Sequence, residues 1–119
     1  MGLTYITAGV ANHRKSERRI KVRMLVDSGA LFSVIPRDVV LKLGIKPHGK
    51  ESFILANGDE ITRQIGSATF YYRDKWGPSK IIIGESGDSA LMGVLTLESL
   101  GYALDPIRRE LRPMKMVLM

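Results

Sequence analysis

An aspartate interrupts an apolar stretch of this chain in the segment MLVDSGALFSVIP, residues 24–36. Three apolar residues precede Asp27, Ser28 and Gly29 follow it, and the sequence then becomes apolar again. This pattern predicts a buried strand that opens into a tight turn and re-enters the core. Because a buried carboxylate is costly without polar partners, we expect the fold to hold Asp27 at the floor of a cleft. An ordinary turn-forming aspartate is the alternative interpretation.

The composition predicts one soluble globular domain that spans residues 1–119. Hydrophobic residues make up 45% of the chain and charged residues 25%, which is typical of such proteins. The absence of cysteine excludes disulfides and thiolate metal sites. Since the first residues lack the apolar core of a signal peptide and no segment is long enough to cross a bilayer, we expect a cytoplasmic protein with no membrane partner.

Short apolar segments separated by turn residues predict a mostly-β fold. The first hairpin is expected from LTYITAGVA and RIKVRMLVD, which flank a polar connection. A second hairpin, SFILANGDEITRQI, contains Asn57 and Gly58, a dipeptide that strongly favours a tight turn between two apolar segments. A third hairpin, GSATFYYRDKWGPSKIIIG, is expected to turn between Asp74 and Pro78.

Two segments carry helical signals. In PRDVVLKLGI, Pro36 is placed to start a short helical turn and Gly44 to end it. In GVLTLESLG, the apolar residues are spaced along one helical face and Gly101 ends the segment. The tail YALDPIRRELRPMKMVLM is predicted to form a strand, a proline-containing turn, a second strand and an apolar end.

The residue types present in the chain argue against several kinds of catalytic and binding site. The two histidines, His13 and His48, each have one glutamate three or four residues on, but neither has a second histidine or a cysteine nearby, so we expect no metal and no cofactor. No glycine-rich phosphate-binding motif is present. The segment GESGDSALMG, residues 84–93, frames a serine between small and acidic residues, but a serine nucleophile needs a histidine base. A glycine- and serine-rich loop before a strand is the preferred interpretation.

A net charge of +6 and a pI near 9.8 raise nucleic acid as a possible partner. The segment HRKSERRIKVR, residues 13–23, concentrates seven basic residues, counting His13, and one acid. Within it, however, Ile20 and Val22 alternate with charged residues, which predicts a strand with one buried and one solvated face. With only four Tyr, three Phe and one Trp, the sequence shows no interleaved aromatic platform, so no nucleic-acid partner is expected.

Three segments in order resemble the retropepsin-like (retroviral-type) aspartic proteases, in particular the small single-lobe bacterial and archaeal relatives. They are LVDSGALFSVIP with its Asp-Ser-Gly-Ala motif, ILANGDEI at the place of the flap, and LMGVLTLESLGYAL with its apolar-apolar-Gly before a helix. The resemblance covers most of the chain. It implies a mostly-β, single-lobe β-barrel with one helix in the C-terminal half, a flap hairpin at about 52–66, and a two-fold homodimer.

The resemblance also implies a mechanism. Peptide hydrolysis by two carboxylates needs one to accept a proton from water and the other to protonate the carbonyl, and two close aspartates share the single proton required. The chain has one Asp-[Ser/Thr]-Gly, at Asp27, so the second aspartate must come from a second copy. The expected activity is an aspartic endopeptidase acting on a protein or peptide substrate.

Other roles follow from the resemblance by position. Ser28 would hydrogen-bond across the dimer axis, Gly29 would let the substrate backbone approach, and Ala30 would line the cleft. The tip of the flap would be formed by Ala56, Asn57, Gly58 and Asp59, for which an ordinary hairpin turn is the alternative.

The sequence departs from the retroviral pattern in one coordinated way. Where an acid and an arginine usually pair, this chain has Leu31 and Val94, which replaces an ion pair by packing. Apolar subsites are therefore expected, lined by Leu31, Phe32, Val34 and Met92, with Gly93 as the turn before the helix. The end MKMVLM could supply strands to the dimer. Two alternatives stay open at this point, a catalytically silent dimer that binds peptides or acts as a scaffold, and a small basic nucleic-acid-binding β-domain.

Overall fold

Strands dominate the computed structural model, which describes residues 2–115 of the chain. The strands are β1 (Tyr5–Ala11), β2 (Arg19–Val26), β3 (Ser33–Pro36), β4 (Gly49–Ile54), β5 (Glu60–Tyr72), β6 (Lys75–Gly84), β7 (Leu91–Met92), β8 (Tyr102–Asp105) and β9 (Glu110–Pro113). The helices are α1 (Arg37–Leu43) and α2 (Val94–Leu100). The predicted mostly-β class is confirmed.

Seven strands form one sheet in the order β1-β2-β7-β3-β6-β5-β4, and an additional pairing of β1 with β5 folds this sheet back on itself. The short strand β7 is the link between its two halves, since it pairs in parallel with β2 and antiparallel with β3. Strand β3 in turn pairs in parallel with β6. The segments on either side of Asp27 are thereby built into the middle of the sheet, whereas β8 and β9 form a separate hairpin.

The core follows the alternation that the sequence predicts for β2. Val22, Met24 and Val26 are buried, while Arg19 and Lys21 on the opposite face are exposed. The same core takes in apolar side chains from β1, β3, β5, β6, β7 and both helices, among them Val10, Ile35, Phe70, Ile81, Ile83 and Leu100. The predicted strand with one buried and one solvated face is confirmed.

Both predicted helices end where the glycines indicate. Pro36 directly precedes α1, and Gly44 follows it with a left-handed φ of 70°. Gly101 follows α2 in the same way, with a φ of 77°. A residue with a side chain is strained in this conformation, which is why glycine marks the helix end so reliably.

The second predicted hairpin is confirmed, but the third turns earlier than predicted. Its turn lies at Arg73 and Asp74, because Tyr72 already pairs with Lys75 and Arg73 adopts a left-handed φ of 55°. Gly77 and Pro78 lie within β6 instead. They are there because α2 packs on this part of the strand: a Cβ at Gly77 would clash with Ser99, whose hydroxyl donates to the carbonyl of Pro78.

The C-terminal region forms the predicted strand, turn and strand. Asp105 accepts hydrogen bonds from the N–H groups of Ile107 and Arg108, and these bonds, that from Arg108 foremost, hold the pKa of Asp105 below its ordinary value. The last four residues of the segment MKMVLM, residues 116–119, lie outside the described residues. No helix in residues 2–115 combines the length and apolar character that a bilayer crossing requires.

Candidate active site

Asp27 lies directly after β2, at the point where the chain leaves the sheet. Its N–H donates to the carbonyl of Met92 at 2.9 Å, which fixes the backbone to β7. Its carboxylate oxygen Oδ1 accepts the N–H of Gly29 at 2.9 Å, and its carbonyl accepts the N–H of Ala30 at 3.2 Å. The side chain is half-buried. The carboxylate is therefore held in one orientation by its own turn and keeps further acceptor capacity for other donors.

The start of α2 clamps this turn from the other side. The N–H of Val94 donates to the carbonyl of Ala30 at 2.8 Å, and that of Leu95 to the carbonyl of Leu31 at 3.1 Å. Gly93 is the residue before α2, as the sequence predicts, and its backbone passes so close to the turn that a Cβ would lie 2.6 Å from the carbonyl oxygen of Phe32. Only glycine fits this crossing.

A buried cluster of hydroxyl groups completes the clamp. Ser33 and Thr96 are fully buried, and their hydroxyls are hydrogen-bonded to each other. Ser33 Oγ also accepts the N–H of Gly93 at 3.0 Å, while Thr96 pairs with Ser79 at 2.9 Å. Sequence reasoning missed this cluster. The available signal was the occurrence of Ser33 and Thr96 at positions whose neighbours are apolar.

A cleft of about 610 Å³ opens beside the turn. It is mostly apolar and lies between residues 29–34, the β4–β5 hairpin and residues 87–91. Phe32 and Phe53 meet edge to face across it, with ring centroids 5.8 Å apart. Four residues that were predicted to line the cleft or its subsites do line it: Ala30, Leu31, Phe32 and Val34. The structure adds the apolar residues Phe53, Ile54, Leu55, Ile61, Ile82 and Leu91.

The prediction that Met92 lines the pocket is wrong. Its side chain is fully buried in the core, and the preceding residue, Leu91, faces the cleft instead. Successive side chains of a strand point to opposite faces, so only one of these two residues can line the cleft. The sequence LM gives no indication of which residue points outward.

The predicted flap tip forms the tight turn between β4 and β5. Asn57 accepts the N–H of Asp59 at 2.9 Å and donates to its carboxylate at 3.0 Å, and Gly58 has a left-handed φ of 90°. All four predicted tip residues, Ala56 to Asp59, are exposed, and they do not line the cleft. Ile54 and Leu55, just before the tip, do line it. Ser28 is exposed beside Asp27.

The sequence of residues 15–74 matches the family described as Aspartyl protease. The chain belongs to this aspartyl protease family. The matched region includes Asp27, Ser28, Gly29 and the β4–β5 hairpin. The resemblance to retropepsin-like aspartic proteases is thereby confirmed.

Among solved structures, 35 chains match this aspartyl protease family member. One is a retropepsin-like aspartic protease from Rickettsia conorii, with a TM-score of 0.54 and 24% sequence identity over 87% of this chain and 85% of that one. This likeness concerns the fold. Among curated proteins, the search found no match.

This aspartyl protease family member has an ion pair at the edge of the cleft that the sequence did not predict. Arg63 on β5 donates to both carboxylate oxygens of Asp88, at 2.8 and 3.2 Å, and Asp88 also accepts the N–H of Glu85 at 2.8 Å. The hydrogen bonds from Arg63 hold the pKa of Asp88 below its ordinary value, and the same bonds raise the pKa of Arg63. The pair fastens the middle of the β4–β5 hairpin to the loop before β7. That loop is the predicted glycine- and serine-rich segment.

Replacing Asp88 by Asn should lower the free energy of unfolding by about 1 kcal/mol at neutral pH, because two charge-assisted hydrogen bonds to a partly buried carboxylate are weakened. The carboxyl pKa is lowered in the folded state, so its contribution is complete above the unfolded pKa and is lost as pH falls through the folded one. Urea unfolding of the wild type and of Asp88→Asn at several pH values should show that their difference in free energy of unfolding becomes smaller below pH ~4.

The matched control is Glu85→Gln. Glu85 pairs with Arg37 at 3.4 Å, but both side chains are more than two-fifths exposed, so this substitution should change stability by less than about 0.5 kcal/mol. A wild-type advantage over Asp88→Asn that stayed constant into strong acid would contradict the role given to the Asp88 carboxylate.

The described residues offer little to a metal ion. In residues 2–115, no three His, Asp or Glu side chains lie close enough together to hold one. His48 contacts the hydroxyl of Ser67 at 3.2 Å, and His13 is exposed in the turn between β1 and β2.

Proposed function

We propose that this protein is an aspartic endopeptidase whose active site forms between two copies of the chain, each contributing Asp27. The observation that carries the proposal is the clamped Asp27 turn, which presents one oriented carboxylate beside an apolar cleft. The family and the retropepsin-like fold support the same reaction class. In this proposal the folded-back sheet is the single-lobe barrel of that fold.

One chain does not supply the second carboxylate. Asp88 is the acidic residue that lines the cleft, and the bidentate contact with Arg63 holds it ionised. A carboxylate stabilised by a guanidinium cannot share a proton with a neighbouring aspartate. A two-fold axis next to Asp27 would instead bring two identical carboxylates together, and like charges at that distance retain one proton between them.

The reaction then needs no group beyond this pair. The ionised carboxylate accepts a proton from a water molecule, which attacks the peptide carbonyl, and the protonated carboxyl donates its proton to the carbonyl oxygen. The carboxyl that took the water proton then passes it to the leaving nitrogen. As the C–N bond breaks, the other carboxylate takes the proton of one hydroxyl of the tetrahedral intermediate, so the pair again holds one proton. The N–H of Gly29 keeps Asp27 in place during these steps, and Ser28 of each copy would hydrogen-bond across the axis.

The cleft would hold a peptide in an extended conformation. Leu31, Phe32 and Val34 form one wall, and the β4–β5 hairpin, which carries Ile54 and Leu55, would close over the peptide as a flap. These walls favour bulky apolar side chains on either side of the cleaved bond. Ile54 is 77% exposed, and its side chain is free to contact a peptide or the second flap.

The proposal is tested by measuring the number of active sites per chain. Sedimentation at increasing concentration should show a monomer–dimer equilibrium, and cleavage of a peptide library should rise with the dimer fraction. Titration with a tight-binding statine-type inhibitor should abolish activity at one inhibitor per two chains. One inhibitor per chain, or full activity in a strict monomer, contradicts the shared site. Inhibitor binding without any cleavage favours the silent peptide-binding dimer instead.

A further inference from the structure

A row of cations lies on the solvated face of β2, and three other strands extend this face sideways. Lys21 is opposite Gly9 of β1, Gly9 is opposite Tyr71 of β5, and Tyr71 is opposite Trp76 of β6. Directly paired residues of neighbouring strands share a face of the sheet. The resulting surface, which we call the arginine–aromatic face, consists of Arg14, Arg19, Lys21, Tyr71, Arg73 and Trp76.

Arginine side chains lie over the aromatic rings of this face. The guanidinium carbon of Arg19 is 3.4 Å from the ring centroid of Tyr71, and that of Arg14 is 4.7 Å from the ring centroid of Trp76. Arg14 also reaches the hydroxyl of Tyr71 at 3.4 Å. Cation–π contacts of this kind restrict the position of each guanidinium group, so each pair presents a positively charged outer surface.

The cations surround a concavity that has no acidic lining. It measures about 280 Å³ and is lined by Thr7, Gly9, Arg19, Lys21, Tyr71 and Arg73. Gly9 keeps it open, since a Cβ there would lie 3.1 Å from the side chain of Arg19 and 3.3 Å from Tyr71. Within residues 2–115, none of the four cations of the arginine–aromatic face forms a salt bridge. Their charge is available to a ligand.

We propose that the arginine–aromatic face binds single-stranded nucleic acid. The cations along β2 recur every second residue, about 6.6 Å apart, and such a row can follow the phosphates of an extended strand. Bases stack on aromatic rings and on guanidinium planes, and this face offers both next to the cations. An acidic peptide or an anionic membrane would use the charge but would not need the ordered stacks.

This site is separate from the proposed active site. Arg19 begins β2 and Asp27 directly follows its end, which places them about 26 Å apart along the strand. Trp76 lies near the start of β6, whereas the cleft is lined by Ile82 near the end of that strand. Binding of nucleic acid should therefore be unchanged in Asp27→Asn. If no nucleic acid binds, the proposed peptidase activity is not contradicted.

The test is binding of fluorescently labelled oligo(dT) and oligo(U) of about 20 nucleotides, followed by fluorescence anisotropy between about 50 and 200 mM salt. We expect saturable binding that weakens with salt. The double variant Arg19→Gln/Lys21→Gln should bind about tenfold more weakly and lower the log–log salt slope by about 1.4. Trp76→Leu, which removes no charge, should bind at least about fivefold more weakly with the slope unchanged.

A charge-matched control is Lys46→Gln/Lys50→Gln, which removes two exposed cations at the β4 end of the sheet and should change affinity less than about twofold. Far-UV circular dichroism and thermal melting verify that each variant is folded. Absence of saturable binding at low salt overturns the proposal, as does equal weakening in the control. Retained binding in Trp76→Leu, or tighter binding to polyglutamate or to vesicles of anionic phospholipid, assigns the face to another partner.

Discussion

Asp27→Asn should reduce the rate of peptide cleavage by about 10³-fold or more while leaving the fold intact. The asparagine amide has the shape of the carboxyl group, and its oxygen can still accept the N–H of Gly29, so the turn keeps its structure. It can neither take a proton from water nor hold the shared proton, so both halves of the acid–base step are lost. Initial rates on a fluorogenic peptide measure the effect, with melting temperature as the check on folding.

Mixing wild-type and Asp27→Asn chains gives a second test of whether two chains share one active site. When wild-type and Asp27→Asn chains exchange freely at equal amounts, only about a quarter of the dimers are purely wild-type, so activity should fall to about a quarter of that of the same total wild-type protein. If each chain carried its own complete site, half of the activity would remain.

Asp38→Asn is the matched control for this experiment. Asp38 is an exposed acid in the first turn of α1, and its replacement by Asn should leave the cleavage rate nearly unchanged. Cleavage by Asp27→Asn at the wild-type rate would exclude Asp27 as a catalytic residue.

Gly93→Ala should lower the free energy of unfolding by about 3 kcal/mol, which is a melting-temperature loss of about 10 °C in a chain of this size. The φ of Gly93 is −95°, so the conformation itself suits alanine. The cost comes from space: the added Cβ would lie 2.6 Å from the carbonyl oxygen of Phe32 and 2.9 Å from that of Ala30. Both are backbone atoms of the Asp27 turn, and the chain can relieve the clash only by displacing that turn. Activity should therefore fall even in the folded fraction.

Gly49→Ala is the control for this substitution. Gly49 begins β4, and a Cβ there would meet only the end of Ile65, at 3.8 Å. Alanine at that position should leave stability unchanged or slightly raised, because it reduces the freedom of the unfolded chain. Denaturant unfolding of both variants separates a loss specific to the Gly93 crossing from a general cost of replacing glycine. Equal stability of the two variants would contradict the packing role of Gly93.

Local chemistry made part of this structure predictable. Asn57 and Gly58 specify a tight turn by their own conformational preferences, and Gly44 and Gly101 end helices for the same reason. The segment around Asp27 could likewise be recognised because its apolar, acidic and small residues follow one another directly. In each case the determining atoms lie within a few residues of one another in the sequence.

Features that depend on distant contacts were not predictable. Gly77 and Pro78 look like turn residues, yet the true turn lies at Arg73 and Asp74, because Gly77 is small to accommodate Ser99 of α2. The partner of Asp88 is Arg63, a residue of β5 that lies 25 positions earlier in the sequence.

The aromatic neighbours of the β2 cations show the same limit. The sequence scatters its few aromatic residues and so indicated no stacking platform. Pairing of β1 with β5 and of β5 with β6 places Tyr71 and Trp76 beside Arg19 and Arg14. Only the register of the strands reveals this cluster.

The clamp on the Asp27 turn also determines when the proposed active site can exist. Ser33 and Gly93 are hydrogen-bonded partners 60 positions apart, and the hydrogen bonds of Val94 and Leu95 to the turn come from the same late segment. A growing chain therefore carries Asp27 for several seconds of synthesis before the residues that shape its turn have been added. During that time neither the nascent chain nor its neighbours are exposed to an assembled site. Peptide cleavage would begin only after this late segment has been made and packed.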